Sequence, residues 1–167
     1  MGAGLGAAAG ALIGYLADGK KGAMIGGLAG GATGGLIGNY VQRKDRDRTQ
    51  AVSAVGYRPS HGNILRIEDA HAMPTSVKPG QVVNLDASYT ILTPNNAQSR
   101  IQETREVRLN GRLFASPSIE LNREDGTYSS RVPFTVPLNY QRGSYEVRTI
   151  VAMGPKVLNA KSSFVVE

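Results

Sequence analysis

The sequence predicts an α plus all-β protein: a helical hairpin over residues 1–42, a basic linker over 43–62 and an antiparallel β-sandwich over 63–167. Three observations predict it. Glycine recurs at every fourth position in two runs near the start. No charged residue falls between Met1 and Ala17 or between Gly22 and Gln42. From Asn63 onward the apolar period shortens from four to two, the repeat of a half-buried strand.

The first glycine run is Gly2, Gly6, Gly10 and Gly14; the second is Gly22, Gly26, Gly30, Gly34 and Gly38. On an α-helix such residues form one narrow stripe, a groove that a second backbone can approach closely. In water the helix would be poor, since each interior glycine costs roughly 0.8–1.0 kcal/mol relative to alanine. In hydrocarbon the backbone has no water to bond, so a helix is nearly forced. The expected element is therefore a membrane-embedded hairpin. As helices, residues 2–17 reach about 24 Å and residues 22–41 about 30 Å, against a hydrocarbon core of about 30 Å. Leu5, Leu12, Ile13 and Leu16 together contribute only about −2 kcal/mol of insertion energy. Neither helix is comfortable alone, so the glycine seam must close within the hairpin or between copies.

The break at Ala17–Lys21 reads as a tight turn, with Gly19 suited to a left-handed position. Lys20 and Lys21 are expected at a headgroup surface, as are Arg43, Lys44, Arg46 and Arg48 after the second run. The net charge of +6 concentrates there: residues 43–60 contribute +3, residues 61–167 only +2. That segment has no interleaved aromatics, and the following part is nearly balanced, so nucleic acid is not an expected partner. Membrane lipids are expected, with further copies of the chain and other envelope proteins.

Residues 2–44, through the closing Gly38-Asn39-Tyr40-Val41-Gln42-Arg43-Lys44, resemble the glycine-zipper segment of the SlyB-like and OmpA-type outer-membrane lipoprotein families. The resemblance implies a bacterial outer-membrane or cell-envelope protein, inserted as a hairpin and prone to oligomerise, with the sandwich in the periplasm. Members of those families usually carry a signal peptide and a lipidated Cys just upstream. This sequence holds no Cys, which also excludes disulfides and thiolate metal sites. The opening segment lacks a basic n-region, and Gly6 stands where a myristoylation signal wants Ser or Thr. It is not read as a targeting peptide.

Arg43 to Gln50 is expected to extend the second helix by a turn or two, and the rest of the linker is broken by Pro59 and Gly62. Ile64–Ile67 follows as a short strand. Lys78-Pro79-Gly80-Gln81 has the residues of a type II turn. Val83, Leu85, Ala87, Tyr89 and Ile91 alternate with polar residues, and Pro94-Asn95-Asn96 turns the chain. Residues 100–109 carry Arg100, Glu103, Arg105, Glu106 and Arg108, read as a solvated strand face. Asn110-Gly111 is a strong hairpin signal leading to Leu113 and Phe114. Ile119–Leu121 precedes a turn at Glu124-Asp125-Gly126. In the next strand Tyr128, Ser130, Val132, Phe134 and Val136 share a face, and Pro133 suggests an edge. Tyr145, Val147, Thr149 and Val151 share a face, and so do Leu158, Ala160, Phe164 and Val166. Strands at this spacing argue for a sandwich. Arg142 to Gly154 resembles the penultimate strand of an immunoglobulin-like domain, with Tyr145 as its corner tyrosine.

No constellation of catalytic residues emerges, so no enzyme and no cofactor are expected. His61 and His71 lack a second ligand at metal spacing. Gly4–Ala9 has no preceding strand for a dinucleotide loop, and Gly19-Lys20-Lys21 lacks the Ser or Thr of a phosphate loop. Glu103, Glu106, Glu120 and Glu124 are interspersed with arginines, without an acid–base pair. Arg105, Arg108, Arg112, Arg131 and Arg148 are expected to pair across strands with Glu103, Glu106 and Glu146 rather than form a basic patch. The function expected is structural support or assembly of the outer membrane. The alternatives are a ligand-binding or adhesin-like sandwich merely anchored by the hairpin, and an oligomeric pore.

Overall fold

The computed structural model describes residues 40–167 and, ahead of them, Leu12–Gly14 (β1), Met24–Gly26 (β2) and Leu36–Ile37 (β3). The predicted helical hairpin otherwise lies outside the described residues. Within it, β1 and β2 are extended and pair antiparallel, Ile13 opposite Ile25, a register symmetric about Gly19 in the predicted break. The rest is mostly β with one helix.

Two sheets enclose the core. One has β3 and Val41–Arg46 (β4) end to end along Gly126–Thr135 (β11), then Val82–Leu92 (β7), then Ile64–Met73 (β5). The other runs Ser118–Arg123 (β10), Ser99–Leu109 (β8), Gly143–Met153 (β12), Lys156–Val166 (β13) and Ser76–Val77 (β6), with Arg112–Ala115 (β9) beside β8. All pairings are antiparallel except β6 with β13, where the chain changes sheets after β5. Alternation drives this arrangement. Val83, Leu85, Ala87, Tyr89 and Ile91 point inward from β7, and Tyr128, Ser130, Val132, Phe134 and Val136 from β11 and its end. Tyr145 Oη donates to the Gln141 carbonyl at 2.9 Å, the corner-tyrosine contact expected of an immunoglobulin-like sandwich. Gly80 and Asn110-Gly111 adopt the positive φ their turns require (87°, 49° and 79°).

Four expectations are corrected. Residues 43–62 are neither helix extension nor linker. β4 continues the sheet to Arg46, and Arg48–Val55 (α1) then folds across the far end of the sandwich, burying Ala51 against Leu92 and Tyr57. Asp47 and Gln50 form a capping box, and Gly56 closes the helix in the left-handed conformation at φ 64°. The domain therefore begins ahead of residue 43. Second, β5 runs ten residues, because its polar half pairs with β7 as far as Met73. Third, Pro133 is not on an edge: β11 is flanked on both sides, and among the described residues none pairs with Pro133 from the β3–β4 side, between the Ile37 and Val41 pairings. The fourth concerns Glu103.

Candidate functional site

Strand β8 holds the unexpected feature. Its inward positions are Ile101, Glu103, Arg105, Val107 and Leu109, so strict alternation carries an acid and a base into the interior with the apolar residues. Glu103 and Arg105 are not on a solvated face; both are sealed, at 2% and 1% exposure. Glu103 accepts from Tyr40 Oη at 2.7 Å, Tyr89 Oη at 2.5 Å and Ser130 Oγ at 2.6 Å. Arg105 Nη2 lies 3.2 Å from its carboxylate and 2.8 Å from Ser130 Oγ, and Arg123 Nη2 lies 3.8 Å away. Burial pushes the Glu103 carboxyl up, but Arg105 and then Ser130, Tyr89 and Tyr40 outweigh it and hold the group below its ordinary value. Burial, followed by the Glu103 charge, pushes both tyrosine hydroxyls well up. The acid is thus kept charged and the phenols neutral. Along the strands, this knot separates two apolar clusters, one around Phe134, Tyr145 and Phe164 and one around Tyr89, Ile101 and Val151.

A carboxylate this enclosed meets no substrate; what it can do is clamp. Tyr40, at 1% exposure, comes from the segment that follows the glycine runs, and Glu103 lies 63 residues away. A second clamp sits at the far end. Buried Asp125 accepts from the Thr93 amide (2.9 Å) and hydroxyl (3.0 Å) and pairs with Arg48, which also donates to the Thr93 carbonyl at 2.9 Å. Residues 40–57 are therefore fastened to the sandwich by two buried acids.

The predicted headgroup residues fall along these elements. Arg43 on β4 pairs with Asp45 at 2.5 Å, and Lys44 lies 3.7 Å from Glu124 and over the Tyr128 ring. Arg46 has no carboxylate partner among the described residues, and Arg48 is committed to Asp125. Of the glycine stripe, Gly14 and Gly26 end β1 and β2, opposite Met24 and Leu12. Gly2, Gly6, Gly10, Gly22, Gly30, Gly34 and Gly38, with Lys20 and Lys21, lie outside the described residues. The five arginines do not form one patch. Arg105 is internal, Arg108 and Arg148 pair with Glu106 and Glu146 two residues away on their own strands, and Arg131 lies on the other sheet. Arg105, Arg108 and Arg148 pair along their own strands because residues two apart share a face, whereas Arg131 pairs across to β7.

On the outer face of the β4–β11–β7–β5 sheet, Arg131 grips Asp86 through two bonds of 2.7 and 2.9 Å. His71 lies between Asp69 (2.7 Å) and Asp86 (3.4 Å). A shallow depression of about 330 Å³ covers this row, but its charged groups are already paired, Arg43 with Asp45 and Asp69, His71, Asp86 and Arg131 among themselves. His61 closes a short 3₁₀ turn, its ring edge-on to Tyr57 at 5.9 Å.

Among solved structures, the Pseudomonas fluorescens alkylpurine DNA glycosylase AlkC bound to DNA with an abasic-site analogue is 13% identical, over 62% of this chain and 30% of that one, with TM-score 0.45. The sporulation control protein Spo0M from Bacillus subtilis is 15% identical, over 62% and 49%, with TM-score 0.44. A family 123 glycoside hydrolase from Clostridium perfringens is 15% identical, over 55% and 22%, with TM-score 0.41. The chain spans less than half of each, and likenesses at this level say nothing of chemistry or ligand. No curated protein sequence matches. Residues 1–45, however, match the family model Gly-zipper_Omp, described as a glycine zipper. The chain thus carries a glycine-zipper segment, which points to association with the outer membrane or envelope, ahead of a β domain.

Proposed function

We propose that this is a non-enzymatic cell-envelope protein that embeds and self-associates through its glycine zipper and presents the β-sandwich in the periplasm as an interaction module for outer-membrane structure or assembly. The observation that carries the reading is the glycine-zipper match over residues 1–45, whose last residues are built into the sandwich through β4 and Tyr40. Force or position imposed on the zipper passes directly into the folded domain.

The fold sharpens the physics of embedding. Leu36 and Ile37 pair with Thr135 and Phe134, so the embedded part ends before residue 36. As helices, residues 2–17 and 22–35 are each roughly 21–24 Å long, short for a hydrocarbon core of about 30 Å. The bacterial outer membrane is thinner than average, which eases the mismatch. A two-stranded sheet such as β1–β2 has two open edges, which hydrocarbon does not tolerate. In lipid the segment must become helical or pair with further copies, and the glycine stripe favours nested helices. Membrane lipids and other copies are the partners in this reading.

The test is oligomer size in outer-membrane vesicles and in detergent. Gly26→Leu and Gly30→Leu each convert cross-linked oligomers to monomers while the near-ultraviolet circular dichroism of the sandwich is unchanged. Oligomers that persist in both variants, or a wild-type chain that stays with the soluble fraction, overturn the reading.

A further inference from the structure

We infer that the end of the sandwich where the chain arrives from the glycine segment is itself a docking surface for an anionic lipid bilayer, with Leu138 as its inserting tip. This rests on the membrane anchoring proposed above and adds an orientation and a contact to it.

The topology defines that end. Leu36, Thr135 and Val82 form one register row across β3, β11 and β7. The Lys78–Gln81 turn, the 136–142 loop and the Asn110-Gly111 turn lie at the same end, because β7 and β12 begin there and β8 ends there. Among the described residues, five of the seven exposed large hydrophobics (Met73, Val82, Leu113, Leu138 and Val165) lie within about three strand residues of it. Scattered exposed apolar residues need no explanation, but this bias toward one end does. The most exposed is Leu138, at 82%.

Leu138 is held out by a built loop. The Gly80 amide donates to the Val136 carbonyl at 2.7 Å, and the Val136 amide to the Gln81 carbonyl at 2.9 Å. Tyr140, two residues on, is buried and stacked on Tyr145 at 5.3 Å, which stacks in turn on Phe164. Leu138 is thus fixed beside Gly80 and aimed into solvent.

The charge around it fits an anionic surface. Lys78, Arg112 and Arg142 are exposed at this end, and none has an ion-pair partner among the described residues. Of the carboxylates there, Glu167 accepts from Ser76, and Glu146 is paired with Lys161 and Arg148. Apolar tips flanked by cations bind anionic membranes by combining buried area with headgroup attraction. At the far end Asp125 is buried and paired with Arg48, and Glu124 lies beside Lys44.

Distance reassigns the headgroup contacts. Arg46 pairs beside Thr127, eight strand residues from Thr135, which is about 27 Å, and Arg43 beside Ser129 is about 20 Å away. A headgroup layer is only roughly 5–8 Å deep. With the sandwich standing on this end, Lys78, Arg112 and Arg142 reach the headgroups and Arg43, Arg46 and Arg48 do not.

The chain contains no tryptophan, so a single introduced one reports its own surroundings. The full chain carrying Leu138→Trp, and separately Val157→Trp at the opposite end, is reconstituted in phosphatidylethanolamine vesicles containing phosphatidylglycerol and recovered by flotation. The expected result is a blue-shifted emission for Leu138→Trp, quenched by shallow bromolipid and reversed by adding Lys78→Glu and Arg142→Glu, with Val157→Trp unchanged. A chain that floats while both tryptophans report water overturns the docking and leaves the anchor standing. A chain that does not float overturns both.

Discussion

Glu103 shows how much rests on one side chain. Its carboxylate is stable inside the sandwich only because Arg105, Ser130, Tyr89 and Tyr40 satisfy it, and removing one partner from such a buried set is far costlier than never burying it. Glu103→Gln is expected to lower unfolding free energy by about 3 kcal/mol, leaving Arg105 and Arg123 facing an uncharged amide. Tyr40→Phe, which removes one bond to a charged group, costs about 1.5–3 kcal/mol. Urea titration at neutral pH measures both. The pH dependence has a definite sign. Because the folded-state pKa of Glu103 is lowered, its contribution is full above the ordinary value of about 4.3 and is lost as pH falls through the lower folded value. The wild type therefore loses stability more steeply below about pH 4 than Glu103→Gln does, and identical acid limbs would refute the clamp. The sequence contained the signal. Ile101, Val107 and Leu109 fix the inward register of β8, and that register includes positions 103 and 105. The charges on alternate sides of β8 mask that period.

At the scale of elements, β4 is the piece that joins the zipper to the sandwich, and its seat depends on one glycine. Gly126 has φ 151°, and a Cβ there would lie 2.6 Å from the Arg46 carbonyl and 2.7 Å from Lys44 Cε. Backbone cannot yield as a side-chain tip can, so Gly126→Ala is expected to displace the end of β4 and cost about 1–3 kcal/mol. Hydrogen exchange is the check: amides of 41–46 lose protection while those of β12 and β13 keep it. The turns were legible because Asn110-Gly111 and Lys78-Pro79-Gly80-Gln81 impose their own geometry. The strand at 41–46 was not, because an exposed edge of Val-Gln-Arg-Lys-Asp-Arg has no apolar period to display. The cap of α1 was legible in principle, with Asp47, Gln50 and Gly56 at their capping positions.

For the whole molecule, the consequence is where the domain begins. A chain starting at residue 36 keeps β3, Tyr40, β4 and α1 and is expected to unfold in one cooperative transition. A chain starting at 63 loses Tyr40 from the Glu103 knot and Arg48 from Asp125, leaving two buried acids short of partners. Its melting temperature is expected to fall by well over 10 °C, or the fragment to fail to fold, since one or two kcal/mol moves a domain of this size by several degrees. Calorimetry of the two fragments decides it, and equal melting temperatures would restore residue 63 as the boundary. The sequence by itself determined the glycine zipper, the sandwich, its turns and its corner tyrosine, because periodicity and turn chemistry are local and every residue shows its own share. Only the tertiary structure decided that Tyr40 and Arg48 belong to the sandwich, that Glu103 lies inside it and which end receives the zipper. Those facts are made by residues tens of positions apart, whose meeting depends on sheet order and register rather than on any neighbour in the chain.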